Sequence, residues 1–152
     1  MIDFEKMKRF RNEQKAFIKY IGFQILDIKE DYAQGEVVLR EIHGNPIGSV
    51  HGGVLFSIAD TIGGVAASSS AGSMCTTVNG NINYVNPALG CKKLIGTAHT
   101  VKAGHNLAVV HVDITDENDR LLACAQMTYH YLWDKVPFPY NIEEEEEKED
   151  HS

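Results

Sequence analysis

Residues 44–67 read GNPIGSVHGGVLFSIADTIGGVAA. From Val54 to about Ser69 the side chains are apolar around most of a helical circumference: Val54, Leu55, Phe56, Ile58, Ala59, Ile62, Val65 and Ala66. A helix without a polar face belongs in a core. One carboxylate, Asp60, interrupts it. Burying an ionised carboxylate without partners is costly, so Asp60 must reach solvent, a partner group or a second chain. Gly63 and Gly64 each weaken a helix by about 1 kcal/mol relative to Ala. Their missing side chains predict the close approach of another backbone.

Working outward, the loop before this helix is rich in Gly, Asn and Pro. Downstream, four stretches read as strands, roughly 75–86, 93–103, 106–116 and 121–132. Val110, Val112 and Ile114 alternate there with His111 and Asp113, the pattern of a sheet with one buried face. TDENDR, residues 115–120, is a turn, and connections this short favour antiparallel pairing. Upstream, GFQILDIKEDYAQGEVVLRE (22–41) reads as two strands with a turn near Asp31 to Gly35. Residues 3–20 read as an amphipathic helix, with Phe4, Met7, Phe10, Phe17 and Ile21 near helical spacing. About six strands and one long buried helix make an α+β fold in which the sheet curls around the helix. The expected organisation is a single domain over 1–136, its N-terminal helix included, and an acidic, disordered tail over 137–152.

A chain of 152 residues suits one core. The net charge of −7 is concentrated at one end, because Glu143 to Asp150 holds seven acids and one lysine. The rest is nearly neutral, so there is no basic footprint for nucleic acid and no strong field against an anionic ligand. Three cysteines, Cys75, Cys91 and Cys124, form neither a C-x-x-C pair nor an even set. They read as reduced thiols of a cytoplasmic protein. The N-terminus MIDFEKMKRF has no signal-peptide apolar core. The apolar window 52–72 is long enough to span a membrane, but it carries Asp60 and many Gly and Ser residues. A buried core helix is the better reading, with no membrane partner.

The first N–H groups of a helix lack intrahelical partners and carry partial positive charge. Gly52 and Gly53 stand at that point, and without Cβ atoms they let a ligand atom come close. This suits a developing oxyanion. His51 sits at the helix entrance, where its plain reading is a cap, and Asn45 lies in the preceding loop. Asp60 is eight residues beyond Gly52, about 12 Å along the axis. The two groups cannot meet one carbonyl within a chain. Cooperation requires Asp60 of a second copy, in a two-fold dimer with two equal sites. His99 and His111 have no evident third ligand, so no metal site is expected.

Asn45, Gly48, His51-Gly52-Gly53 and Asp60 resemble, in type and spacing, the hot-dog-fold acyl-CoA thioesterases of the phenylacetate-pathway (PaaI-like) type. VNGNINYVNPA (78–88) and AHTVKAGHNLAVVHVDI (98–114) are similar to later strands of that family, and the resemblance spans roughly 20–132. It implies a hot-dog fold, dimers often paired into tetramers, and hydrolysis of an acyl- or aryl-CoA thioester with no cofactor, coenzyme A being part of the substrate. By position it implies that the Gly52 amide polarises the carbonyl and that Asp60 of the partner acts as base or nucleophile. It further implies that Asn45 and His51 position the thioester, that Thr77 helps hold the water, and that Gly53 lines the approach. Lys102 and His105 fall where the coenzyme A phosphates are met. The alternative is a non-catalytic acyl-CoA-binding protein on the same fold. A DNA-binding regulator lacks room for its helix-turn-helix, and the Asp and His pairing of hot-dog hydratases is not found.

Overall fold

A computed structural model of the chain describes residues 1–143. The elements run α1 (Phe4–Glu13), α2 (Phe17–Tyr20), β1 (Phe23–Lys29), β2 (Tyr32–Val38), α3 (Gly52–Ala71), β3 (Cys75–Tyr84), β4 (Lys93–Ala103), β5 (Leu107–Asp116) and β6 (Leu121–Tyr131). The strands form one antiparallel sheet in the order β1-β2-β4-β5-β6-β3, and α3 touches all six. The sheet wraps the helix, as the hot-dog resemblance implies.

Helix α3 starts on His51, whose Nδ1 accepts the Gly53 N–H at 2.8 Å. It ends on Gly72 at φ 67°, a left-handed position that suits glycine, with its N–H bonded to Ser68 O. Leu55, Ile58, Ala59, Ile62, Val65 and Ala66 are buried against Val37, Leu94, Ala98, Val110, Val112, Ile114 and Met127 of the sheet. Helix and sheet approach closely at β4, where a Cβ on Gly96 would stand 2.6 Å from Ile58 Cγ2. By length and composition α3 is able to cross a membrane, yet it is the core around which the sheet closes.

Three expectations need correction. Residues 3–20 form two helices, not one. The Asn12 side chain holds both the N–H and the C=O of Ile25, at 2.8 and 2.9 Å, and this tie to β1 fixes where α1 ends despite the helix propensity beyond it. Only Met7 of the anticipated apolar face is fully buried, while Phe17 is 68% exposed. The first hairpin turns at Glu30–Asp31, with Asp31 at φ 61°. Gly35 lies inside β2 because the Phe23 ring packs where its Cβ would be. The domain does not stop at 136. Asp3 N–H donates to Tyr140 O, Ile142 N–H donates to Met1 O, and Tyr140 is buried. Residues 137–142 thus lie along the N-terminus, drawn in by Phe138 and Tyr140. Most of the acidic run, residues 144–152, lies outside the described residues.

Candidate active site

The loop before α3 is shaped by its own polar side chains. His43 is buried, with Nδ1 accepting from Arg40 N–H and Nε2 bonded to Ile21 O at 2.6 Å, and its carbonyl receives the His51 N–H. Asn45 Oδ1 accepts from the amides of Ile47 and Ser49, and its Nδ2 donates to Ser49 Oγ at 2.8 Å. The amide of Asn45 is therefore engaged within the loop. These bonds fix the direction in which the chain enters the helix.

At the helix start, the capping bond to His51 occupies the Gly53 N–H. The Gly52 N–H donates to no protein atom among the described residues. Its carbonyl receives the Tyr84 hydroxyl at 2.8 Å, and a Cβ on Gly52 would crowd the Tyr84 ring at 3.1 Å. An open groove of about 340 Å³ lies beside it, lined by Val50, Gly52, Leu55, Tyr84, Val85 and Pro87 among others. Of the two glycine amides, Gly52 alone offers a free donor, at the positive end of a 20-residue helix.

Asp60 is half-buried, on the stripe of α3 that borders β3. The exposed Thr77 hydroxyl donates to its Oδ1 at 2.5 Å. The Tyr129 hydroxyl donates to its backbone carbonyl at 2.6 Å. Strand β3 is the edge of the sheet, and Thr76, Thr77, Val78 and Asn79 along it are exposed. Asn79, Asn81 and Asn83 share one side of it, with Asn81 bonded to Asn79. Cys75 lies close by, but burial raises its thiol pKa, which disfavours a nucleophilic thiolate.

Thus the structure gathers Asn45, His51, Gly52 and Gly53 at one end of α3 and joins Asp60 to Thr77 partway along it. It does not bring the two groups together in one chain. Lys102 and His105 lie at the other end of the sheet, since β5 and β6 pair Leu107 with His130, and β3 pairs Thr76 with His130. His105 stacks on Trp133, with ring centroids 5.3 Å apart and planes 18° apart, and Trp133 Nε1 donates to His105 O at 2.7 Å. No cluster of three or more potential metal ligands occurs among the described residues. His99 and His111 are cross-strand neighbours, and His111 turns to Asp113.

Residues 47–123 match the thioesterase superfamily model, which is about half of the chain. The chain belongs to the thioesterase superfamily. These are enzymes that hydrolyse thioesters. Human acyl-coenzyme A thioesterase 13 is 34% identical over 97 residues, covering 62% of this chain and 69% of its own. The zebrafish thioesterase superfamily member 2 structure superposes with a TM-score of 0.76 at 27% identity, covering 86% of this chain and 99% of that one. The Escherichia coli PaaI protein of the phenylacetic acid degradation operon shares the fold, with a TM-score of 0.76 at 24% identity over 82% of this thioesterase chain and 89% of its own.

Sequence reasoning passed over three residues that hold these groups in place. His43 anchors the loop, and its signal, two histidines eight residues apart around a Gly-Asn-Pro loop, does not say which one is buried. Tyr129 was signalled only by the two glycines at 63 and 64, which accommodate its ring rather than another backbone. Trp133 was signalled by nothing local.

Proposed function

We propose that this thioesterase hydrolyses an acyl- or aryl-CoA thioester in a site completed by a second copy of the chain. The observation that carries the reading is Asp60 itself, a carboxylate oriented by Thr77 at 2.5 Å on the side of α3 that borders an unpaired sheet edge. A ten-residue edge strand is a surface for pairing with another chain. Antiparallel pairing of β3 with its copy, centred between Gly80 and Asn81, sets Tyr84 of one chain opposite Thr77 of the other. Because Tyr84 holds Gly52 and Thr77 holds Asp60, that symmetry brings the free amide of one copy toward the carboxylate of the other.

The Gly52 N–H then stabilises the oxyanion as the carbonyl carbon becomes tetrahedral. Asp60 takes a proton from the attacking water, the C–S bond breaks, and the coenzyme A sulfur leaves with a proton. In the other route the Asp60 carboxylate attacks first, releases the thiolate and leaves a mixed anhydride for water to cleave. Both end in a free acid and coenzyme A, with no redox change. His51 and Asn45 act by holding the helix entrance, and Gly53 lines the approach. The apolar groove beside Gly52 takes the part of the substrate next to the carbonyl. Lys102 meets the phosphates, while the ring face of His105, backed by Trp133, takes the adenine. A homodimer, paired further into a tetramer, in the cytoplasm completes the reading.

The test is thiol release from short, medium, long and aromatic CoA esters. Turnover of at least one ester is expected, with a loss of roughly 10²-fold or more in kcat for Asp60→Asn. Saturable acyl-CoA binding without thiol release, or an Asp60→Asn protein with wild-type turnover, overturns it.

A further inference from the structure

We infer that Tyr129 is a positioning residue that holds Asp60 through its backbone. The inference rests on the reading that Asp60 performs the chemistry. Tyr129 stands on β6, buried and facing α3. Its hydroxyl donates to Asp60 C=O at 2.6 Å. In an α-helix that carbonyl is the acceptor of the i to i+4 rung that ends on residue 64. The phenol therefore adds a second donor to the carbonyl of Asp60.

Gly63 makes the seat. A Cβ there would stand 2.3 Å from Tyr129 Oη and 3.2 Å from Cζ, closer than carbon and oxygen can approach. One on Gly64 would touch the ring edge at 3.4 Å. This explains two consecutive glycines inside an apolar helix, where each weakens the helix by about 1 kcal/mol. The cross-strand partner of Tyr129 on β3 is Thr77, the residue whose hydroxyl holds the Asp60 carboxylate. One cross-strand pair thus grips Asp60 twice, by side chain and by main chain. Burial, and then the nearby Asp60 charge, raise the phenol pKa, so Tyr129 stays a protonated donor in the working range. A carboxylate that must meet a water or a carbonyl supplied across an interface has to be fixed closely, since a misplacement of about 1 Å costs on the order of 10²-fold in rate.

Tyr129→Phe keeps the ring in the notch and removes only the hydroxyl. The expected result is a folded enzyme with kcat lowered about tenfold and KM unchanged. In an Asp60→Asn background the same change leaves the residual rate as it was, because Tyr129 acts through Asp60. Gly63→Ala displaces the hydroxyl without deleting it and reproduces the kcat loss, so it carries the test if Tyr129→Phe does not fold. A folded Tyr129→Phe or Gly63→Ala enzyme with wild-type kcat overturns the inference. So does a further loss on adding Tyr129→Phe to Asp60→Asn. If Asp60→Asn is inactive while Tyr129→Phe is unimpaired, this inference alone fails. If Asp60→Asn itself turns over normally, the role of Asp60 fails and takes the inference with it.

Discussion

The start of α3 and the stretch around Asp60 have different surroundings. Gly52 is enclosed by its own chain: His51 caps the turn, Tyr84 holds the carbonyl, and Val85 and Pro87 wall a groove beside the free amide. Asp60 is held from below by Thr77 and Tyr129, yet its outer side borders exposed β3 residues. One region has its walls and no carboxylate. The other has the carboxylate and lacks a wall. Two half-sites about 12 Å apart on one rigid helix cannot close on each other, so the difference between them supports a catalytic unit larger than one chain.

Complementation tests that difference most severely. Asp60→Ala and Gly52→Pro each remove one half-site, and proline at the first helical position deletes the N–H without breaking the helix, although the Tyr84 ring must yield slightly. Each variant alone should lose about 10²-fold in kcat. When the two are mixed and re-equilibrated, half of the dimers are mixed, and each mixed dimer has one intact site. Activity should recover to roughly a quarter of the wild-type level per chain. No recovery, with mixed dimers shown by native mass spectrometry, means that the two regions do not share a site.

The next effect is smaller and concerns only the Asp60 side. Thr77→Val keeps the shape and the strand propensity but removes the hydroxyl. Loss of a hydrogen bond to a charged group should lower kcat about tenfold and leave KM for the acyl-CoA in place. A change confined to KM would instead make Thr77 a substrate contact.

Much of this contrast was legible in the sequence, for local reasons. The span of α3 followed from an unbroken apolar circumference, and β4, β5 and β6 followed from alternation, each bounded within about two residues. The juxtaposition of Gly52 with a helix N-terminus and the 12 Å to Asp60 are consequences of helix geometry alone. What escaped depended on contacts distant along the chain. Asn12 stops α1 by bonding Ile25, Phe138 and Tyr140 fold residues 137–142 back onto the N-terminus, and Tyr129 meets Gly63 across 66 positions. His51 was legible as a cap and the resemblance pointed to the Gly52 amide, but it was not legible that the cap would take up the Gly53 amide.

A third measurement moves to the hairpin between β4 and β5, level with Thr77 along the sheet and remote from Gly52. His105 presents a ring backed by Trp133, which suits stacking on a base. His105→Gln should raise KM for an acyl-CoA about fivefold, within the range for base stacking on an aromatic side chain, and leave the corresponding acyl-pantetheine unaffected. His105→Phe should keep the wild-type KM. If Phe fails and Lys succeeds at that position, the residue contacts phosphate by charge. Trp133 is the sole tryptophan, so quenching of its fluorescence by coenzyme A reads the same site without turnover.

The smallest expected effect is at Cys75, and it separates the reading of the Asp60 region from a thiol-based one. Cys75 opens β3 next to Asp60 and Tyr129, where a cysteine nucleophile would be well placed to form a thioester intermediate. Its Sγ lies 3.5 Å from Gly64 O and 3.6 Å from Ser68 Oγ. Burial raises its pKa and outweighs the lowering by the Ser68 hydrogen bond and by Arg11, while the Asp60 charge adds the smallest share to the rise. A raised pKa means a smaller thiolate fraction at neutral pH than a free thiol has, and the thiolate is the attacking species. Alkylation of Cys75 by iodoacetamide should therefore be slow at pH 7 and speed up only as pH climbs above the ordinary thiol range near 8.5. Cys75→Ala should retain kcat within about twofold, since it removes a side chain that takes no part in the proposed steps. Rapid inactivation at pH 7 that acyl-CoA protects against, together with a dead Cys75→Ala enzyme, would move the nucleophile from Asp60 to the sulfur beside it.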